Sequence, residues 1–177
     1  MCLPYPREQV SKVFTFGPMF RYERPQKGRQ RQFHQINAEL FGSASPMADA
    51  EIIAMLWRYL HQLGLSNLDV LVNSLGCPKC RPSFSRNLQS YFAAQDKHNL
   101  CPDCKRRQET NPLRILDCKV PGCQQIADMA PKISDHLCPE CQEHFTSVQN
   151  ILQACAIPYT LHSRLVRGLD YYQRTTF

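Results

Sequence analysis

Eight of the ten cysteines fall into four close pairs: Cys77-x2-Cys80, Cys101-x2-Cys104, Cys118-x4-Cys123 and Cys138-x2-Cys141. Thiols this near in sequence can converge on one point only through tight turns, so the spacing dictates local structure before any other feature does. The N-terminus, Met1-Cys2-Leu3-Pro4-Tyr5-Pro6, has no basic stretch leading into an apolar one, so it is no signal peptide and a cytoplasmic location follows as the default. In a reducing compartment, close pairs argue for thiolate metal ligands rather than disulfides. The eight thiols suffice for up to two tetrahedral zinc sites of four ligands each. The simplest partition follows chain order: Cys77, Cys80, Cys101 and Cys104 at one site, and Cys118, Cys123, Cys138 and Cys141 at the other. Spacing does not fix this pairing, and His98, His136 or His144 could replace a thiolate. The competing reading is a set of reduced cysteines buried as small apolar residues.

The cysteines also divide the chain. Residues 1–75 contain no such pair, residues 76–157 contain all four, and residues 158–177 are again aromatic and basic. This reads as an insertion between two pieces of one domain. Apolar runs stay far below the roughly 20 residues needed to span a bilayer. Net charge is +6, which permits a polyanionic partner without requiring one. Its placement is more informative: Arg21, Arg24, Lys27, Arg29 and Arg31 face a single nearby acid, Glu23. The insertion itself is nearly balanced, with ten Lys/Arg against eight Asp/Glu, and thiolate-bound zinc would push it negative.

Val13–Phe16 and Met19–Tyr22 favour strand, Pro25–Gly28 interrupts, and Gln32–Leu40 resumes, which predicts a long hairpin with a basic tip. Ser45-Pro46 signals a helix start, Ile52, Ile53, Leu56, Leu60 and Leu63 recur at helical spacing, and Gly64 ends the run. Leu68–Val72 reads as a strand. Short helices are expected around Phe84–Phe92 and Phe145–Cys155, and a strand or strand pair over Leu165–Phe177. A guanidinium binds phosphate through two parallel hydrogen bonds and stays charged at any working pH, so the hairpin tip suits a polyphosphate. Phe33 offers a flat face to a purine. A solvated basic loop is the plainer reading of charge alone.

The run Gly17-Pro18-Met19-Phe20-Arg21-Tyr22-Glu23-Arg24-Pro25-Gln26-Lys27-Gly28-Arg29-Gln30-Arg31-Gln32-Phe33-His34-Gln35 closely resembles motif 2 of class II aminoacyl-tRNA synthetases, and of the histidyl-tRNA synthetase family in particular. The resemblance implies that Arg21 holds the α-phosphate of ATP, Glu23 helps read adenine, Arg29 reaches the outer phosphates and Phe33 stacks on the base. Gln35 and Glu39 would contact the substrate histidine. Strand geometry agrees, since Phe33, Gln35, Asn37 and Glu39 share one face. A buried carboxylate at Glu39 would require a cationic partner, which the imidazole or ammonium group would supply.

A second run, Leu165-Val166-Arg167-Gly168-Leu169-Asp170-Tyr171-Tyr172, resembles the histidine-specific motif of the same family. It implies that Arg167 contacts both the α-phosphate and the substrate carboxylate, and that Tyr171 and Tyr172 line the histidine pocket. Asn111–Lys119 is similar to part of the insertion that approaches the tRNA acceptor arm in bacterial members. The implied fold class is α+β: part of an antiparallel-sheet catalytic domain interrupted by a small, cysteine-rich, mainly helical insertion domain. The implied activity is adenylation of histidine with ATP and Mg²⁺, then transfer to tRNA(His), by a homodimer with no membrane partner and structural Zn²⁺ in the insertion. Motif 1, a T-x-E segment, motif 3 and an anticodon domain are not found, so the chain is expected to be an internal piece that does not aminoacylate alone. Two alternatives remain: a non-catalytic synthetase-like subunit of ATP phosphoribosyltransferase, and a zinc-dependent nucleic-acid-binding module.

Overall fold

A computed structural model describes residues 9–95, 100–167 and 172–177. Strands β1 (Ser11–Phe20) and β2 (Gln32–Phe41) pair antiparallel from Ser11↔Phe41 to Phe20↔Gln32. Arg21 lies one residue past β1 rather than within it, but its N–H still donates to Arg31 O at 2.8 Å, so the ladder holds its backbone. The tip closes through paired Gln26 and Arg29 backbone bonds of 3.1 and 2.8 Å. Gly28 has φ +75 at the third turn position, a conformation that favours glycine. One face of the hairpin leaves Phe14, Phe16, Phe20 and Ile36 exposed.

Helix α1 (Pro46–Gln62) starts as the Ser-Pro pair requires: Ser45 Oγ accepts from Met47 N–H at 3.2 Å. Ser45→Ala should cost about 1 kcal/mol of stability, readable as a shift in the urea midpoint. Strand β3 (Leu71–Ser74) begins three residues later than the Leu68–Val72 reading. It is central in a small mixed sheet, parallel to β4 (Thr160–Leu161) and antiparallel to β5 (Thr175–Thr176). The expected antiparallel pairing therefore holds for the hairpin and for β3 with β5, while β4 adds a parallel edge.

Between β3 and β4 the chain is helical: α2 (Arg81–Ala93), α3 (Pro102–Thr110), α4 (Pro121–Asp128) and α5 (Pro139–Ala154), with 3₁₀ turns at Pro112–Ile115 and Ile133–His136. Phe84, Leu88 and Phe92 form the buried stripe of α2, each at most 1% exposed. They pack with Leu100, Ile115, Leu116, Ile133 and the thiols of Cys104, Cys118 and Cys123. Helix α5 belongs to a second cluster. Its Phe145, Val148 and Leu152 meet Ala50 and Ile53 of α1 and Val72 of β3. No helix among the described residues is long and apolar enough to cross a membrane.

His144 of α5 is buried, with Nε2 3.7 Å from Asp49 Oδ2 on α1. Burial lowers its pKa from the usual 6.5; the Asp49 carboxylate opposes this and Arg174 reinforces it. The unfolded chain therefore takes up a proton before the folded one does. Stability is full above about 6.5 and falls as pH drops below it. His144→Asn should flatten that dependence, measured as urea midpoints above and below the ordinary imidazole value.

Candidate functional site

Strand β2 carries Phe33, Gln35, Asn37 and Glu39 on one face, about 20 Å from first to last at the usual rise. At the tip end, the Arg21 guanidinium lies 4.2 Å over the Phe33 ring centroid, and its Nε donates to Gln30 O at 2.7 Å. Arg29 forms an ion pair with Glu23, both side chains about half exposed. An exposed pair of this kind contributes roughly 0–1 kcal/mol, so an anion can claim Arg29 at little cost.

At the other end, Gln35, Asn37 and Glu39 form one wall of an open cleft of about 890 Å³. Arg167, Tyr172, Thr175, Thr176 and Phe177 also line it, together with Ile52 of α1. Glu39 is exposed to this cleft rather than buried, because the cleft is open, and it accepts from Asn37 Nδ2 at 2.6 Å. Arg167 Nε donates to Thr176 Oγ1 at 3.3 Å. The backbone leading to Arg167 is fixed from below, where Asn73 Nδ2 donates to Ser163 O at 3.2 Å and Leu165 O at 3.0 Å. The cleft lining thus includes both a carboxylate and a guanidinium, which is complementary to a zwitterionic amino acid. Tyr171 and Gly168 lie outside the described residues. Asn37 and Thr176 were not singled out as site residues from sequence. Asn37 had a signal, since it sits between Gln35 and Glu39 at strand period, whereas Thr176 had none.

The thiols converge in two groups, but not in chain order. Cys77, Cys80, Cys138 and Cys141 form one, and Cys101, Cys104, Cys118 and Cys123 the other, with the Sγ atoms of each group within 4.8 Å of one another. The partition by sequence order is therefore wrong. Strand β3 and helix α5 bring the first and last pairs together, so the two middle pairs are left to each other. His136 instead packs on the Phe84 ring and His144 on Asp49, while His98 lies outside the described residues. Burial works against ionisation at Cys77, yet hydrogen bonds to the backbone of Cys80 and Lys79 hold it at about 6. Cys101 is similarly brought to about 7, while burial pushes Cys104, Cys123 and Cys141 up.

A family model described as histidyl-tRNA synthetase matches residues 3–177. The chain belongs to the histidyl-tRNA synthetase family. It is 59% identical over 171 residues to a histidine–tRNA ligase of Nitratidesulfovibrio vulgaris, covering 97% of this chain and 41% of that protein. A histidine–tRNA ligase of Maridesulfovibrio salexigens is 56% identical over 173 residues, covering 98% and 42%. The chain thus spans about two fifths of the length of these histidyl-tRNA synthetase relatives. The crystal structure of apo S. aureus histidyl-tRNA synthetase superimposes with a TM-score of 0.68 at 36% identity, covering 93% of this chain and 37% of that one. An ATP phosphoribosyltransferase regulatory subunit/histidyl-tRNA synthetase from Bacillus halodurans shares the fold, with a TM-score of 0.55 at 16% identity, covering 96% and 47%.

Proposed function

We propose that this chain is the part of a histidine–tRNA ligase that binds ATP and histidine. The observation that carries the reading is the cleft lined jointly by Gln35, Glu39, Arg167 and Tyr172. The histidine carboxylate attacks the α-phosphate of ATP, pyrophosphate leaves, and the terminal hydroxyl of tRNA(His) then attacks the acyl carbon and releases AMP. Arg21 and Arg167 hold the α-phosphate as charge builds on it, and preorganised cations lower that barrier. Arg167 also holds the substrate carboxylate. Glu23 and Phe33 take adenine, and Arg29 leaves Glu23 for the outer phosphates. Glu39, Gln35, Tyr171 and Tyr172 take the histidine side chain and ammonium. Mg²⁺ would accompany ATP and offset part of its phosphate charge.

In this reading residues 1–75 and 158–177 are pieces of the catalytic domain, and 76–157 an insertion domain stiffened by thiolate-bound zinc. The intact protein is a cytoplasmic homodimer. Lys105, Arg106, Arg107 and Arg114 face the tRNA, and neutralising all four should reduce both tRNA affinity and its salt slope. Glu39→Gln removes a charged acceptor worth about 2 kcal/mol, so KM for histidine should rise roughly thirtyfold.

The deciding experiment is amino-acid-dependent ATP–pyrophosphate exchange, on the chain extended to its natural ends, with each amino acid in turn. Exchange with histidine alone is expected. Absence of exchange with every amino acid, from a folded protein, would overturn adenylation in favour of a regulatory subunit.

A further inference from the structure

We infer that the eight paired cysteines bind two divalent ions of the zinc class, and that Cys77, Cys80, Cys138 and Cys141 form a neck centre that ties the helical segment to the loop carrying Arg167. This rests on the zinc reading above and adds the ligand sets and a division of labour.

A tetrahedral ion with Zn–S bonds near 2.3 Å sets its sulfurs about 3.8 Å apart. The Sγ atoms of Cys77 and Cys80 are 3.6 Å apart, those of Cys77 and Cys138 3.9 Å, and those of Cys101 and Cys118 3.9 Å. Disulfides require about 2.05 Å, and a polynuclear iron–sulfur cluster spreads its four thiolates over two or more irons, whereas all four Sγ atoms of each group here lie within 4.8 Å of one another. Both groups share one construction. Cys138 and Cys101 each occupy the residue before a helix, α5 and α3, and neither side chain caps it. The N–H of Cys138 donates to Cys80 Sγ at 3.1 Å, and that of Cys101 to Cys123 Sγ at 3.2 Å. Backbone N–H groups donating to the sulfurs, with a helix N-terminus beside them, favour a doubly negative four-thiolate centre. Binding releases whatever protons the four thiols still carry, and no electrons move.

The two centres sit differently. Cys101, Cys104, Cys118 and Cys123 lie inside the helical segment, and all but Cys101 are buried in its core. The neck group joins the point where the chain leaves β3 to the point where α5 begins. Gly76, just before it, has φ +62, and a Cβ there would lie 2.8 Å from Cys80 Cβ. Its carbonyl accepts from Arg174 N–H at 2.8 Å, and Leu75 N–H donates to Arg174 O at 2.6 Å, so the strand leading to the neck is stitched to the approach to β5. Val166 packs on the core of the helical segment. Leu75, Arg81, Phe84, Val166 and Arg167 all border one small cavity of about 20 Å³. The loop before Arg167 is therefore held between β3 and the segment that the neck centre anchors.

The test uses the chain extended to its natural ends, purified under reducing conditions. Elemental analysis should read two zinc ions per chain, and cobalt substitution should give thiolate charge-transfer bands. A C80S/C141S variant should keep one ion and a C80S/C104S variant none. A C141S variant should speed amide exchange over residues 163–167 by a larger factor than C123S does. Should a variant fail to fold, exchange on the parent with and without chelator reads the same loop. A folded protein without zinc, or with iron in its place, overturns the zinc reading itself. One ion retained by C80S/C104S overturns the ligand sets. Correct stoichiometry with exchange at 163–167 unchanged, or raised as much by C123S, overturns only the neck role.

Discussion

Arg167→Ala in the extended chain should lower histidine-dependent ATP–pyrophosphate exchange by roughly 100- to 1000-fold, the effect of losing one preorganised charge partner at a reacting phosphate. The fall should appear mainly in kcat, because the charge that Arg167 meets grows as the carboxylate attacks. In the structure Arg167 lines the same cleft as Gln35 and Glu39, and its Nε donates to Thr176 Oγ1 at 3.3 Å. Truncation removes that bond and the one from the guanidinium to Phe177 O, but no core packing, so the thermal transition should move little. Arg167→Lys should recover only a small part of the rate, since an ammonium cannot make the two parallel bonds of a guanidinium. Exchange within threefold of the parent for Arg167→Ala would remove this residue from the chemistry.

Phe84→Ala should have the largest effect on stability, about 3–5 kcal/mol, because the ring is fully buried in the core of the helical segment and its loss leaves a void there. For a chain of this size each kcal/mol shifts Tm by about 2–4 °C, so a drop of roughly 6–20 °C is expected by calorimetry. Phe84 lies beside Val166 and Arg167 at the small cavity, so the variant should also lose activity below its own transition. A change under about 1 kcal/mol would mean that the helical segment contributes no cooperative core.

The hairpin was legible because its signals are local: aromatic-rich strands, a turn glycine at Gly28 and strand period on β2. Helix α1 was legible for the same reason, through Ser45, Pro46 and the apolar spacing. Helices α3 and α4 were not anticipated. Cys101–Thr110 is almost wholly polar, and α4 opens on Pro121-Gly122, so neither shows a long apolar stripe. Their stability comes from tertiary burial of Cys104 and Cys123. Leu165–Phe177 yielded only the two-residue strand β5 among its described residues, because long-range contacts to Asn73 and Gly76 shape it rather than its own strand propensity. The thiol pairing was hidden for a related reason. Spacing identifies partners within a pair, but which pairs meet is decided by β3 and α5 returning to the same place.

The N–H of Cys138 sits 3.1 Å from the sulfur of Cys80, although 57 residues separate the two. Everything from Arg81 to Leu137 therefore departs from and returns to nearly one point. A segment with coincident ends places no demand on the span between its flanks, so its length and content can change while the flanking backbone stays where it is. In evolutionary terms this stretch is a cassette: it can be shortened or enlarged away from its base, provided the contacts that Phe84, Leu113 and Ile133 make beside Val166 and Arg167 are kept.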